Sequence, residues 1–237
     1  MGIVLGPNQY GKSENRIVRI YRDTDRHEIR DLNVSTSLRG DFTAAHTTGD
    51  QSTVLPTDTQ KNTAFSFARE KGVHSIEEFA LTLGAHFVDE TSSVDGARVE
   101  VEEYSWQRIN VDGVGHDHAF TRSGAETRTT VVTVDGSGDD RRTWVVSGLK
   151  DLVIAKTTGS EFWGFHKDRY TTLPETHDRI LATSLVARWR YGHADVDWDK
   201  SYESIRSSLL QTFAQVHSYA LQQSLYAMGE AVLERHP

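Results

Sequence analysis

Strand-like and helical segments follow one another along this chain in an order that occurs nearly twice. Apolar residues that alternate with polar ones indicate strands, and apolar residues three and four positions apart indicate amphipathic helices. The first copy has strand-like composition at residues 15–22, 26–38, 98–108 and 118–134, with two helical segments between the second and third strands. Runs of strands and runs of helices that follow each other in this way are typical of α+β folds, so the sequence predicts this class.

Both helices of the first copy begin near residue types that commonly cap helices. Asp58 or Thr59 is expected to cap a helix that continues through Arg69. Ser75, followed three residues later by Glu78, has the spacing of a capping box and predicts the start of the second helix. The apolar stripe of this second helix consists of Ile76, Phe79, Ala80, Leu83 and Phe87.

The same order restarts after a predicted turn at residues 136–140. The segments of the second copy are strands at 143–156 and 180–191, a helix at 197–218 and a further helical stripe from Leu221 to Val232. Because the chain ends where the first copy began its third strand, we expect about 50 residues of sheet to be missing from the second copy. The sequence therefore predicts two units, 1–138 and 139–237, the second without its last two strands.

The composition excludes several classes of function. A net charge of −8 argues against a nonspecific nucleic-acid binder, which needs a basic face. The chain has no cysteine, which excludes disulfides and thiolate metal sites. No apolar run approaches the roughly 20 residues that cross a bilayer, and the first residues lack the pattern of a secretory signal. Since the last three residues are no peroxisomal signal, we expect a cytoplasmic protein without membrane or nucleic-acid partners.

Two stretches raise the question of a metal site. His116, Asp117 and His118 stand together, but two histidines two positions apart lack a third ligand of assured geometry. Residues 195–199 alternate acidic and apolar residues without the glycine and spacing of a calcium loop, so we expect them to cap a helix start. Glycine-rich phosphate-binding motifs are also missing from the sequence. We therefore expect neither a metal nor a nucleotide cofactor.

Lys12 and Thr57 are candidates for acid–base chemistry. Lys12 follows Gly11 at a strand start, and Thr57 lies just before a helix. A solvated lysine is a poor base, because ammonium dominates below a pKa of about 10.4. Burial or a neighbouring cation lets a lysine lose its proton, and a threonine hydroxyl can relay a proton because it both donates and accepts. The residues alone therefore allow a metal-free base, and they also allow an ordinary surface lysine beside a helix start.

Four separate stretches, in the right order, resemble the urate oxidase (uricase) family in its bacterial type. They are Tyr10-Gly11-Lys12, Leu-Pro-Thr-Asp-Thr-Gln-Lys-Asn-Thr at 55–63, Ser-Glu-Phe-Trp-Gly-Phe at 160–165 and Thr-His-Asp-Arg-Ile-Leu at 176–181. The resemblance implies tandem tunnelling-fold (T-fold) units, each an antiparallel sheet with two helices on one face. In this family the sheets of several chains close a barrel, which removes exposed strand edges, so a homotetramer with sites at subunit interfaces is implied.

The resemblance also implies an activity, namely cofactor-free oxidation of urate by dioxygen and water to 5-hydroxyisourate and hydrogen peroxide in purine catabolism. It assigns the catalytic base to Lys12 and the proton relay to Thr57. The substrate-binding residues that it implies are Thr57 and Asp58 of one chain with Phe162, Arg179, Leu221 and Gln222 of a neighbouring chain. Phe162 is expected to stack on the planar purine, and Arg179 to donate two parallel hydrogen bonds to it.

The family's C-terminal Asn-Lys-His segment has no counterpart before Pro237. On this ground we expect the 237-residue chain alone to oxidise urate at less than about 1% of the rate of a full-length version. Two alternatives stay open. One is a truncated purine-binding or assembly protein without turnover, and the other is a pterin enzyme of the same fold, which would usually need a histidine metal trio or an anchoring glutamate.

Overall fold

Six strands form one sheet in the computed structural model, which describes residues 2–237. The strand order is β1-β2-β3-β4-β5-β6, and neighbours pair antiparallel from β1 through β5. In chain order the elements are β1 (Tyr10–Tyr21), β2 (Glu28–Gly40), α1 (Thr43–Thr47), α2 (Thr57–Glu70), α3 (Ile76–Glu90), β3 (Val94–Val111), β4 (Val114–Asp135), β5 (Arg142–Lys156), β6 (Leu181–Arg190), α4 (Trp198–Gln215) and α5 (Leu221–Leu233). The predicted α+β class and the predicted order of strand and helix pairs are therefore confirmed.

Strand β2 shows how one face of the sheet is buried. Every second residue from Leu32 to Leu38 is buried, and the residues at the positions between them are partly exposed. This period of two is that of an antiparallel sheet with one covered face. Helix α3 covers the face over β3 and β4 with the predicted apolar stripe from Ile76 to Phe87.

A buried ion pair fixes the start of α3 on the sheet. Glu77 is 0% exposed, and its carboxylate accepts hydrogen bonds from Arg128 at 2.7 Å and from Ser147 at 2.6 Å. Burial raises the pKa of Glu77, and the positive charge of Arg128 opposes this effect. Because a buried charge is tolerated only with a partner, the pair fixes α3 in one position over β4 and β5.

Two predicted helix caps are confirmed. The Ser75 hydroxyl accepts a hydrogen bond from the backbone N–H of Glu78 at 3.1 Å, and Asp197 accepts one from Lys200 at 3.2 Å. Asp197 belongs to the acidic stretch that was expected to cap a helix start rather than to bind calcium.

Several predicted element bounds are wrong. Helix α4 ends at Gln215 instead of continuing to Ser218, and α1 was not predicted. Strands β3 and β4 are longer than predicted because they meet in a two-residue turn, Asp112-Gly113, with φ of +52° and +83°. Positive φ at both positions is what a tight hairpin turn of this kind requires.

The chain divides into two compact units. Unit 1 runs up to Asp151 and includes Val186–Ala194, and unit 2 consists of Leu152–Leu185 and Asp195–Pro237. In unit 2, α4 and α5 pack against each other. The predicted repeat boundary between residues 138 and 139 concerns the T-fold units and stays a prediction. Within residues 2–237, no helix is both long enough and apolar enough to span a membrane.

Candidate active site

Lys12 lies in β1 directly before a β-bulge. It pairs with Thr36 of β2, and regular pairing resumes at Asn15, opposite Val34. Inside the bulge, Glu14 has a φ of +58°. A bulge changes the direction of neighbouring side chains, so the position of Lys12 depends on this local backbone geometry.

Buried polar side chains hold the bulge. Asn15 is buried, and its side-chain amide donates to the carbonyl oxygens of Lys12 at 3.3 Å and Val34 at 3.0 Å. The hydroxyl of Thr36 lies 3.4 Å from the same Lys12 carbonyl and donates to Gln60 of α2 at 2.8 Å. The backbone of Lys12 is therefore fixed from two sides, although its side chain is exposed.

Gly11 allows β1 to approach β2 closely at this point. A Cβ atom on Gly11 would lie 1.8 Å from the Thr36 carbonyl oxygen, which is far inside van der Waals contact. The neighbouring Lys12 can keep its position against β2 only if residue 11 has no side chain.

Helix α2 begins at Thr57, with Pro56 in the capping position and no side-chain cap. The prediction that Asp58 or Thr59 caps this helix is therefore wrong. Pro56, with φ −53° and ψ 140°, leads the chain into the helix one residue earlier, and a proline at a helix start loses no intrahelical bond. No side chain therefore caps the first backbone N–H groups of α2, and Thr57, the first residue of the helix, is exposed.

The Asp58 carboxylate forms hydrogen bonds with side chains of its own helix, α2. The carboxylate accepts hydrogen bonds from Lys61 at 2.5 Å and from Asn62 at 2.9 Å. The pKa of Asp58 is lowered chiefly by Lys61, then by Asn62, and also by the positive charge of Lys12. Lys12 thus lies within electrostatic reach of the Asp58 carboxylate at the start of α2.

Gln60 joins the start of α2 to the sheet. It is 0% exposed, accepts the hydrogen bond from Thr36 and donates to the Leu55 carbonyl at 3.4 Å. The Tyr10 hydroxyl donates to the same Leu55 carbonyl at 2.9 Å. Through these bonds, unit 1 brings together three of the predicted site residues, Lys12, Thr57 and Asp58.

Unit 2 brings together the other predicted residues, starting with Phe162 and Arg179. Phe162 exchanges two backbone hydrogen bonds with Thr176, at 2.8 and 2.9 Å, and the Arg179 N–H donates to the Ser160 carbonyl at 2.8 Å. Phe165 stacks on Phe162 with ring centroids 4.6 Å apart and an interplanar angle of 13°. The loop therefore supplies a fixed aromatic surface next to the arginine.

The guanidinium of Arg179 lies 4.8 Å from the centre of the Phe162 ring. Its Nε atom is buried and has no hydrogen-bond partner among residues 2–237. The Nε atoms of Arg19 and Arg141 share this feature, and at Arg179 it leaves one donor available to an acceptor from outside the chain. A planar acceptor with adjacent oxygen and nitrogen atoms matches the guanidinium fork.

Leu221 and Gln222 open helix α5, whose capping residue Ala220 provides no side-chain hydrogen bond. A short parallel bridge links the preceding segment to the Phe162 loop: the backbone N–H of Glu161 donates to the Ser218 carbonyl at 2.7 Å, and the backbone N–H of Ser218 donates to the Gly159 carbonyl at 2.9 Å. The start of α5 is thereby fixed next to the loop that carries Phe162.

The structure also shows residues that the sequence analysis missed, namely Asn15, Thr36, Gln60 and Glu161. Their importance depends on partners far along the chain, and no local pattern in the sequence indicates it.

Among residues 2–237, no group of three or more acidic or histidine side chains could hold a metal ion. The rings of His116 and His118 meet edge to face, with centroids 4.5 Å apart.

Comparison with known proteins identifies relatives over nearly the whole chain. The sequence model of the family Uricase matches residues 8–133 and 145–237. The uricase of Arthrobacter globiformis is 53% identical over 235 residues, which are 99% of this chain and 75% of that protein. The uricase of Dictyostelium discoideum is 38% identical, and the matched region covers 97% of this chain and 80% of that protein.

Solved structures are similar over the same extent. The crystal structure of uricase from Arthrobacter globiformis superposes with a TM-score of 0.92 at 52% identity, over 100% of this chain and 79% of that one. A uricase from Bacillus fastidious superposes with a TM-score of 0.85 at 26% identity, over 97% of this chain and 81% of that one.

Replacing Gly11 with alanine should destabilise the protein by about 1–3 kcal/mol, because the added methyl group would push β1 away from β2. Gly6→Ala is the matched control, since nothing lies within 4 Å of a Cβ at that position. Urea denaturation of both variants measures the difference. Equal unfolding midpoints for the two variants would contradict the close approach at Gly11.

Proposed function

We infer that this chain, which belongs to the uricase family, oxidises urate with dioxygen and water to 5-hydroxyisourate and hydrogen peroxide. Similarity to uricases over nearly the whole chain carries this inference. The alternative of a purine-binding protein without turnover is not favoured, because the relatives are enzymes. If the inference is correct, long incubation of the protein with urate in air should remove the ultraviolet absorbance of urate and release an equimolar amount of peroxide, at less than about 1% of the full-length rate if the expectation from the sequence also holds. Unchanged absorbance would contradict it.

The reaction balances without a cofactor. Urate gives up two electrons and two protons, dioxygen takes them up to become hydrogen peroxide, and water adds to the oxidised ring. A deprotonated purine is electron-rich, so we propose that the protein need only deprotonate it, orient it and exclude bulk water.

Lys12 and Thr57 are proposed to move the proton. The Lys12 side chain is exposed in the single chain, and its backbone is fixed by Asn15 and Thr36. Thr57 can relay the proton because its hydroxyl both donates and accepts. Asp58 would hold the substrate from the uncapped start of α2.

Phe162, Arg179, Leu221 and Gln222 are proposed to form the purine cradle. The unpaired Nε of Arg179 supports this role, because a purine oxygen next to a deprotonated ring nitrogen could accept the two parallel bonds of the guanidinium. Gln222 offers both an acceptor and donors to an adjacent edge of the purine, and Leu221 offers a backbone N–H. Phe162 would support one face of the ring.

We further propose that the two groups of residues come from different copies of the chain in a homotetramer. β1 and β6 end the sheet, and each has an edge that no other strand of the described chain pairs. Val18 and Ile20 of β1 are also exposed. Pairing with another chain would satisfy such edges, which supports assembly. Cytoplasmic location and a place in purine catabolism stay predictions from the sequence.

Replacing Arg179 with lysine should raise the KM for urate about tenfold or more, since lysine keeps the charge but loses the two parallel hydrogen bonds. Arg235→Lys, which makes the same change at an exposed position near the end of α5, is the matched control. Steady-state kinetics of both variants test this. An unchanged KM in R179K would remove Arg179 from the cradle.

A further inference from the structure

The carboxylate of Glu161 accepts hydrogen bonds from three side chains. His217 donates to one oxygen at 2.7 Å, and Trp163 and His177 donate to the other at 2.6 and 3.2 Å. The Glu161 side chain is only 15% exposed, although all three partners reach the surface. These four residues are called the Glu161 cluster below.

Each partner of Glu161 belongs to a different segment of the proposed cradle. Trp163 directly follows Phe162 in the loop. His177 stands two residues before Arg179. His217 lies four residues before Leu221, the first residue of α5. One carboxylate therefore contacts all three segments that carry cradle residues.

Few backbone hydrogen bonds connect these three segments to one another. The pairs Ser160–Ser218 and Phe162–Thr176 are isolated bridges and not parts of a longer ladder. An isolated bridge fixes the distance between two segments but leaves them free to tilt. The Glu161 cluster adds a side-chain attachment to each segment, beyond the bridges and the hydrogen bond from the Arg179 N–H to the Ser160 carbonyl.

We propose that Glu161 is a positioning residue that fixes Phe162, Arg179 and the start of α5 relative to one another for urate binding. This inference rests on the proposed function. Glu161 need not touch the substrate, because it acts through the segments that do. Its effect should appear in substrate affinity more than in the rate of the bound complex.

The three hydrogen bonds of the cluster require an ionised carboxylate at position 161. Only an ionised carboxylate presents two acceptor oxygens without a proton, whereas an amide presents one. The hydrogen bonds from His217, Trp163 and His177, in that order, lower the pKa of Glu161 below its ordinary value. A lowered pKa means that the contribution of the ionised form is lost only as the pH falls through that value, so the cluster persists at neutral pH.

The test compares Glu161→Ala, Glu161→Gln and the control Glu230→Gln, which removes the same charge from an exposed position on α5. Calorimetry with urate under nitrogen measures the dissociation constant without turnover, and kinetics in air give KM and kcat. We expect E161A to raise both the dissociation constant and KM roughly tenfold, with a much smaller change in kcat. E161Q keeps one acceptor oxygen and should lie between E161A and the unaltered protein, while E230Q should not differ from the latter.

The outcomes separate this inference from the function on which it rests. If the unaltered protein binds no urate, the proposed function fails and the inference fails with it. If it binds urate and E161A binds equally well, the inference alone is overturned. An equal fall in kcat and in substrate affinity would also overturn it, because that pattern indicates general disruption. Should E161A fail to fold, E161Q decides, and an unchanged dissociation constant in that variant would be contrary evidence.

Discussion

The geometry of the candidate site depends on one physical constraint, that a polar side chain withdrawn from water must keep its hydrogen bonds. In unit 1 the buried amide of Gln60 satisfies this constraint by bonding Thr36 of β2 and the Leu55 carbonyl before α2. In unit 2 the carboxylate of Glu161 does so with partners from three segments. For the fully buried Gln60, losing a partner would leave the amide unsatisfied at a cost of about 1–3 kcal/mol, which favours one arrangement of unit 1.

Unit 1 and unit 2 carry residues that suit two different kinds of chemistry. Unit 1 presents a lysine, a threonine hydroxyl and an uncapped helix start, which suit proton transfer and the binding of an anion. Unit 2 presents an aromatic ring, a guanidinium with an unpaired nitrogen and the start of α5, which suit recognition of a flat heterocycle. Oxidation of urate needs both kinds, because the purine must be held flat while it loses protons and electrons. In the proposed site the two groups of residues would therefore act together on one urate molecule.

Much of the fold could be predicted because the signals are local. Alternation along β2 and the stripe of α3 reflect burial of one face, and the caps at Ser75 and Asp197 involve residues three positions apart. The candidate site residues follow from resemblance to a family, since Lys12 alone would be interpreted as a surface lysine. The bulge after Lys12 and the Glu161 cluster could not be predicted. Partners of Glu161 lie as far as 56 positions away in sequence, and only the folded chain brings them together.

We propose that a lysine from one copy and an arginine from another bind the same urate molecule, and mixing two variants tests this arrangement most directly. Lys12→Met and Arg179→Gln each remove one half of every site, so each variant alone should be nearly inactive. If the two halves come from different copies, random co-assembly of both variants leaves about one quarter of the sites intact, and urate oxidation should recover to that extent. Activity that stays at the mean of the two separate variants would contradict the claim.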